Sequence, residues 1–390
     1  MKTRCLLLIP LLATSSLAAE EQKDFLHEGI AAYDRGDYDA AITAYSAALS
    51  GDPSLVLVYY SRGTAYLVKG DFDKAISDCD RAISLDPKLA PAYCNRGMAF
   101  AGKGDRDKAI KDFSKAIELD PQLSRAYAKR GAIYLEQNEF GRAVADLTKS
   151  LELQPGQADV LTDRGYAYLG MSASDKALED FETALRLDVK NAKAYRQRGK
   201  LRFAKGNNEG ALADFTQAIK LEPQEASAYA DRGDVYGLLG RYPKAIADFD
   251  QALKLDPQDA ASFTSRGEAY EFLGKYAVAI ADFRRAMALK PKEARISNDL
   301  AWLLATCPKA EFRNGKEAVE AATRACDLSG WKNPGMIDTL AAACAEAGDF
   351  ERAVKWARKC LASPELDKSA VPEIQARLVL YQAKQAYHTK

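Results

Sequence analysis

Residues 90–123 read APAYCNRGMAFAGKGDRDKAIKDFSKAIELDPQL, and the same 34-residue pattern recurs on both sides of this stretch. The dipeptide Arg-Gly falls at 62–63, 96–97, 130–131, 164–165, 198–199, 232–233 and 266–267, each step being 34 residues. A fixed period of about 20–50 residues marks stacked supersecondary units, and ~34 is the period of a helix–turn–helix. Numbering the unit from Ala90 puts Tyr93 at position 4, Gly97 at 8, Phe100 at 11 and Gly104 at 15. Ala109 is then position 20, Phe113 24, Ala116 27 and Pro121 32. Positions 4, 8 and 11 share one helical face, and 20, 24 and 27 another, because residues three and four apart meet on a helix. Gly104 suits the left-handed residue that closes the first helix, A. Asp120-Pro121 ends the second helix, B, since the residue before a proline is driven to an extended conformation. Large side chains at 4, 11 and 24 can then pack over small ones at 8, 20 and 27.

Eight units share this register, the first spanning about 22–55 and the others starting at 56, 90, 124, 158, 192, 226 and 260; position 8 is Gly and position 20 Ala in all of them. A mid-helix glycine costs about 1 kcal/mol against alanine, so position 8 must need close helix approach. Ala301 and Ala341 stand at the same place in two later units, which makes small size the requirement, not positive φ. Repeat 5 fits worst, with Leu161 at 4, Ser172 at 15 and Val189 at 32, and is expected to be the softest joint because stacking energy is local. After Glu293 the register changes: helices are expected over 297–305 and 316–328, with about five extra residues in their turn. A tenth unit carries Ala341, Cys344, Gly348, Ala353 and Cys360 at positions 8, 11, 15, 20 and 27, and a last helix over roughly 372–386 would cap the stack.

This aromatic/Gly/aromatic/Ala/aromatic/Ala/Pro spacing closely resembles the tetratricopeptide repeat (TPR) family. The resemblance implies an all-α fold, a right-handed α-solenoid (superhelix) of stacked helix–turn–helix units. Residues 22–293 would form eight regular units, 294–361 two divergent units with an inserted loop, and 362–390 a capping helix. The run Leu300-Ala301-Trp302-Leu303-Leu304-Ala305-Thr306-Cys307-Pro308 with Gly330-Trp331-Lys332-Asn333-Pro334 looks like a terminal module of bacterial multi-TPR proteins, which implies architecture rather than activity.

Composition narrows the function. Basic and acidic residues balance at 55 each, giving no electrostatic reason to expect nucleic acid or a membrane surface. Residues 1–19 read as a secretory signal peptide: Lys2 and Arg4 precede an apolar run from Cys5 to Ala13, and Ser16-Leu17-Ala18 is a small-x-small cleavage site. The apolar run is short for the ~30 Å of a bilayer core, so the chain is expected to be exported, periplasmic or secreted, with no membrane span after cleavage. The seven cysteines show no metal-type spacing; Cys79 and Cys94 should lie near each other, bridged or as two core residues, while Cys326, Cys344 and Cys360 occupy core positions. Only His27 and His388 are histidines, and no zinc, nucleophile-elbow or phosphate-loop motif occurs. No enzyme activity, cofactor or metal is expected.

Seven repeats carry Arg at position 7 and Asp at position 23, from Arg62/Asp78 to Arg266/Asp282. Antiparallel helices place these at similar heights, and pairing within a repeat leaves no orphan, so a structural intra-repeat ion pair is expected, each exposed pair adding about 0–1 kcal/mol. In the TPR family, helix A lines the concave face and positions 2, 5, 6, 9, 12 and 13 contact bound peptides. Carried onto this sequence, these positions give an apolar stretch in repeats 1–4 (Leu26, Ile30, Leu57, Tyr60, Leu67, Met98, Leu135), a basic one in repeat 6 (Arg196 and Lys200, with Phe203), and an acidic one in repeats 7 and 8 (Asp231, Asp234, Glu268, Glu271, with Phe272). The family's carboxylate clamp matches at Asn95, Arg125 and Lys129, with the basic residues interchanged, but not at Tyr60 and Thr64; Arg and Lys are not equivalent at a bidentate site. The expectation is a non-enzymatic scaffold that binds a protein or peptide segment and leaves self-association open. The alternative is a cell-envelope carbohydrate-binding module using Tyr60, Tyr166, Phe203 and Trp302, which requires these aromatics to share an exposed face.

Overall fold

The side chain at position 8 sets how close the two helices of a repeat come. A Cβ on Gly165 would stand 2.6 Å from the Phe181 ring, one on Gly199 2.8 Å from Phe215, and one on Gly233 2.7 Å from Phe249. These rings at position 24 are fully buried. In repeat 2 position 24 is Cys79 rather than an aromatic, and there the same Cβ would meet its nearest neighbours at 3.3–3.4 Å. Units 9 and 10 complete the pattern: position 8 becomes Ala301 and Ala341, while position 24 becomes Ala322 and Ala357, all buried. Wherever position 8 gains a methyl group, position 24 loses its ring.

The computed structural model describes residues 17–389, with side chains from Asp24 to Thr389. Among these residues are 21 α-helices, two short 3-10 turns and no strand. Most of the expected signal peptide, its apolar run and Cys5 included, lies outside the described residues; the first helix, Leu17–Arg35, begins within the expected cleavage site. The chain divides into two compact units, one ending at Ala194 and the other starting at Tyr195.

Helices come in A/B pairs, such as Ala90–Gly102 with Arg106–Leu119 in repeat 3. Position 15 between them is left-handed, at Gly36, Gly70, Gly104, Gly206, Gly240 and Gly274. Asn138 and Ser172 adopt the same conformation with φ of 59°. Helix B is capped through position 16 by Asp37, Asp71, Asp105 and Asn207, each accepting from a backbone N–H three residues on, whereas Glu139, Ala173, Arg241 and Lys275 make no such bond.

The Arg/Asp pairs form within repeats. Arg62 donates from Nε and Nη2 to Asp78 at 2.8 Å, and the fork recurs at Arg130 with Asp146 and Arg232 with Asp248. Hydrogen bonding to the carboxylate raises these arginines further above their usual range. The expectation of exposed pairs needs correcting, since Asp78, Asp112, Asp146, Asp180, Asp214, Asp248 and Asp282 are all buried. The remaining nitrogen, Nη1, donates to position 25 of the preceding repeat: Arg62 to Ser46 at 2.9 Å, Arg130 to Ser114 at 2.9 Å and Arg266 to Asp250 at 2.6 Å. One side chain thus fastens a repeat internally and ties it to its neighbour.

In the second unit, helices Ala294–Thr306 and Gly315–Leu328 flank the inserted turn, which holds the short 3-10 helix Ala310–Phe312. The last helix is shorter than expected, Val371–Gln382; Lys384 then turns with φ of 58° and the chain continues without helix to Thr389. All six cysteines of the described residues are free and buried, Cys79 and Cys94 included, and burial pushes their thiols up to about 12 and about 11.

Two stability tests follow from this geometry. Gly165→Ala should cost roughly 1–3 kcal/mol because Phe181 cannot retreat, whereas Gly63→Ala opposite Cys79 should lie within about 1 kcal/mol of neutral; urea unfolding of both variants checks the contrast. In repeat 5, Ser172→Gly and Ala173→Asp should each add about 1 kcal/mol, by relieving a left-handed non-glycine and by supplying a cap, and amide exchange over 158–187 should slow accordingly.

Candidate functional site

Successive A helices meet along positions 2, 5, 6 and 9. Asn95 donates to Thr64 at 2.7 Å, Lys193 contacts Asp163 at 2.5 Å, Arg196 donates to Asp231 at 2.7 Å and Arg295 to Glu268 at 2.7 Å. This A face is therefore partly consumed by its own cross-repeat contacts, and the candidate residues sort by what those contacts leave.

In the first unit, Tyr60 and Asn95 are 8% and 1% exposed, and Asn95 is further tied to Thr64. Both belong to the helix packing, which corrects their assignment as partner contacts. Leu135 is buried as well, while Leu26, Leu57, Leu67 and Met98 are half-buried and Ile30 is exposed. Arg125 and Lys129, at positions 2 and 6 of repeat 4, are exposed and form no ion pair or side-chain hydrogen bond among the described residues. They lie near enough to bear electrostatically on the Cys94 thiol. Two neighbouring cations without a carboxylate partner favour an anionic group.

The second unit differs from the expected order of charges. Arg196 and Lys200 are not free anchors: both reach Asp231, at 2.7 and 3.4 Å, and Arg196 also lies 3.8 Å from Glu225. The basic stretch of repeat 6 is neutralised by the first acidic group of repeat 7. Phe203 packs half-buried against Leu212 and Phe215.

Beyond Asp231, acid is in excess. Asp234 lies near Asp231, Glu268 and Asp259, and Glu271 near Glu268 and Asp299. Arg295 is the cation among them, 2.7 Å from Glu268 and 3.6 Å from Asp299. Loss of surrounding water, reinforced by these like charges, raises the Glu271 carboxyl to about 7. Desolvation also raises Asp299 to about 6, against the pull of Arg295. Asp234, although exposed, rises to about 6 for the same first reason, and a hydrogen bond from Ser265 only partly offsets the shift. Beside this acidic floor, Leu238 and Phe272 at position 13 are 67% and 72% exposed, and Phe272 stacks on Tyr242 with centroids 4.9 Å apart.

Models of the tetratricopeptide repeat match residues 26–90, 90–123, 124–157, 162–213, 196–260 and 229–370. The chain belongs to the tetratricopeptide repeat family. The matches skip only residues 158–161 between 26 and 370, at the start of repeat 5. Among solved structures, 474 chains match, so the likeness establishes an all-α solenoid of TPR units without selecting a function. One is Cut9 with Hcn1, an APC/C hetero-tetramer, at 21% identity and TM-score 0.57, covering 73% of this chain and 56% of that one. Another is pilF of Pseudomonas aeruginosa, at 20% identity and TM-score 0.50, covering 57% and 98%. MamA reaches 30% identity with a TM-score of 0.39, covering 45% and 96%. No curated protein matches the chain.

TPR units commonly present protein-binding surfaces, and among the described residues no group of three or more His, Cys, Asp or Glu is placed to hold a metal ion. No described helix is long and apolar enough to cross a membrane. The aromatics named for carbohydrate do not form an exposed face. Tyr60 is buried, Phe203 is held in packing, Trp302 lies against Tyr387, and only Tyr166 is well exposed.

The raised carboxyls give a pH test. Their folded pKa values exceed those of the unfolded chain, so the folded state holds more protons between about pH 4 and 7, and stability must fall as pH rises through that window. Thermal unfolding should therefore show a higher Tm at pH 5.5 than at pH 8, and Asp234→Asn/Glu271→Gln should flatten the dependence.

Proposed function

We propose that this TPR protein is a non-enzymatic interaction scaffold, exported by its N-terminal segment, that binds a protein or peptide segment along its A-helix face. The observation that carries the reading is the unpaired state of Arg125 and Lys129, where Lys193, Arg196, Lys200 and Arg295 on other A helices are each paired with a carboxylate. These two cations, with half-buried Met98 and Thr64 on the repeats before them, form a place for a carboxylate of a bound segment. Rigid helices lose little conformational freedom when they bind, so a few such contacts suffice for a selective complex. Asp234, Glu268 and Glu271 serve in the same reading as a separate acceptor for a cationic segment.

The reading corrects the ranking of anchors within this face. Arg196 and Lys200 already hold Asp231, so a partner would have to displace an internal pair to use them. Peptide-array binding distinguishes the two pairs. Arg125→Glu/Lys129→Glu should weaken capture of acidic peptides at least ten-fold and reduce its salt dependence, whereas Arg196→Glu/Lys200→Glu should act mainly through lower stability of the second unit. Equal binding by wild type and Arg125→Glu/Lys129→Glu would move the site elsewhere.

A further inference from the structure

The last residues of the described chain do not continue the capping helix. After Lys384 they run back over the A-helix face of units 9 and 10. The Tyr387 ring lies 6.2 Å from Trp302, and the Arg377 guanidinium stands 5.5 Å from the Trp302 centroid and 5.4 Å from that of Tyr387. His388 Nε2 contacts Glu346 Oε2 at 2.8 Å. Thr389 donates to the Thr306 carbonyl from its backbone N–H at 2.8 Å and from its hydroxyl at 3.0 Å. Trp302 and Thr306 are positions 9 and 13 of unit 9, and Glu346 is position 13 of unit 10. These are the places that the earlier repeats turn toward the A face.

The receptor side of this contact is held together independently of the tail. Glu346 also accepts from Arg313 Nε at 3.0 Å, and Arg313 is fixed in turn by the Cys307 carbonyl at 2.9 Å. Arg377 is buried and bonded to Asp338 at 2.8 Å. Trp302 belongs to the hydrophobic cluster of these units. Every group that grips Tyr387 and His388 thus has a second anchor in the body of the protein, so the site keeps its shape when the tail leaves. Within the tail, residues 382–385 are exposed, Tyr387 to Thr389 are half-buried, and Lys384 holds a left-handed backbone that non-glycine residues seldom adopt.

We propose that the A-helix face of units 9 and 10 is a peptide-docking site occupied in cis by residues 386–389, and that it accepts in trans an extended partner segment bearing an aromatic residue followed by a basic one, which displaces the tail. The chemistry of the occupant is read from the tail seated there: a ring for the Trp302/Arg377 surface, a protonatable or cationic side chain for Glu346, and a hydrogen-bond donor for the Thr306 carbonyl. A resident segment lowers the apparent affinity for a competitor in proportion to the fraction of time the site stands open. The proposal shares with the reading above only the idea that A faces take peptides. It does not use Arg125 or Lys129.

The probe is a fluorescent peptide with the sequence of residues 383–390, AKQAYHTK, titrated into the full chain. Tyr387→Ala/His388→Ala/Thr389→Ala, which frees the site, should bind it saturably and at least ten-fold more tightly than wild type, and adding Glu346→Ala should abolish the gain. Arg125→Glu/Lys129→Glu should leave the tail-peptide result unchanged, so failure of one site is separable from failure of the other. In wild type, excess peptide should speed exchange of the Thr389 amide while leaving helix Val371–Gln382 protected, a readout that does not depend on the triple variant folding. A wild-type dimer abolished by the triple substitution would support the same site with a second copy's tail as occupant. A folded triple variant that ignores the peptide, equal binding by variant and wild type, or Thr389 exchange unmoved by peptide would each overturn the proposal.

Discussion

Everything in this fold depends on how near helix A can approach helix B. The distance is fixed by a glycine at position 8 facing a ring, or Leu147 in repeat 4, at position 24, with contacts too tight for an added methyl group in repeats 1 and 3 to 8. The chain solves the same steric problem three ways: glycine against an aromatic or leucine, glycine against Cys79, and alanine against alanine in units 9 and 10. What holds throughout is a steric rule: a large side chain at position 24 is met only by glycine at position 8, and alanine at 8 only by alanine at 24, as close-packed interiors require. Because each repeat meets only its neighbours, the spacing is reset at every crossing and no central core has to enforce it.

Charge plays a second role, and it is directional. The buried carboxylate at position 23 takes two nitrogens of one guanidinium, and the third nitrogen reaches the preceding repeat. A lysine could supply the charge but not the fork. The same logic of mutual neutralisation shapes the A face. Arg196, Lys200 and Asp231 satisfy one another, and what the pairing leaves over is an unpaired basic couple in the first unit and surplus carboxylates in the second, pressed upward in pKa by desolvation and proximity.

Much of the architecture was legible in the sequence because a 34-residue period repeats each local signal many times. Helix ends, the left-handed turn residue, the small crossing positions and the Arg/Asp pairing all follow from spacing. The site was less legible for a definite reason. Position numbers say which residues reach the A face but not which of them are already engaged there. Tyr60 and Asn95 were absorbed by packing, and Arg196 by Asp231, through contacts between residues 31 to 35 apart that depend on which side chain the neighbouring repeat happens to offer. The return of the tail onto units 9 and 10 lay further out of reach. Nothing in its composition marks residues 386–389 as leaving the helix, and their partners Thr306 and Glu346 lie 83 and 42 residues upstream.

The bond from each arginine to the repeat before it carries an implication for how such a chain can grow. The acceptor at position 25 is Ser46, Asp80, Ser114, Thr148, Thr216 or Asp250 for the six arginines whose partner is described here. Each of these oxygens accepts from the same guanidinium nitrogen, so the joint tolerates several different neighbours before it. A gene that loses a whole 34-codon block from within repeats 2 to 8 would still present every remaining arginine with an oxygen at position 25, whereas a second copy of repeat 8 would set an arginine against Arg284. Array length can thus shorten by whole repeats without a mismatched seam, and lengthen by copying any of the regular repeats that ends in such an oxygen.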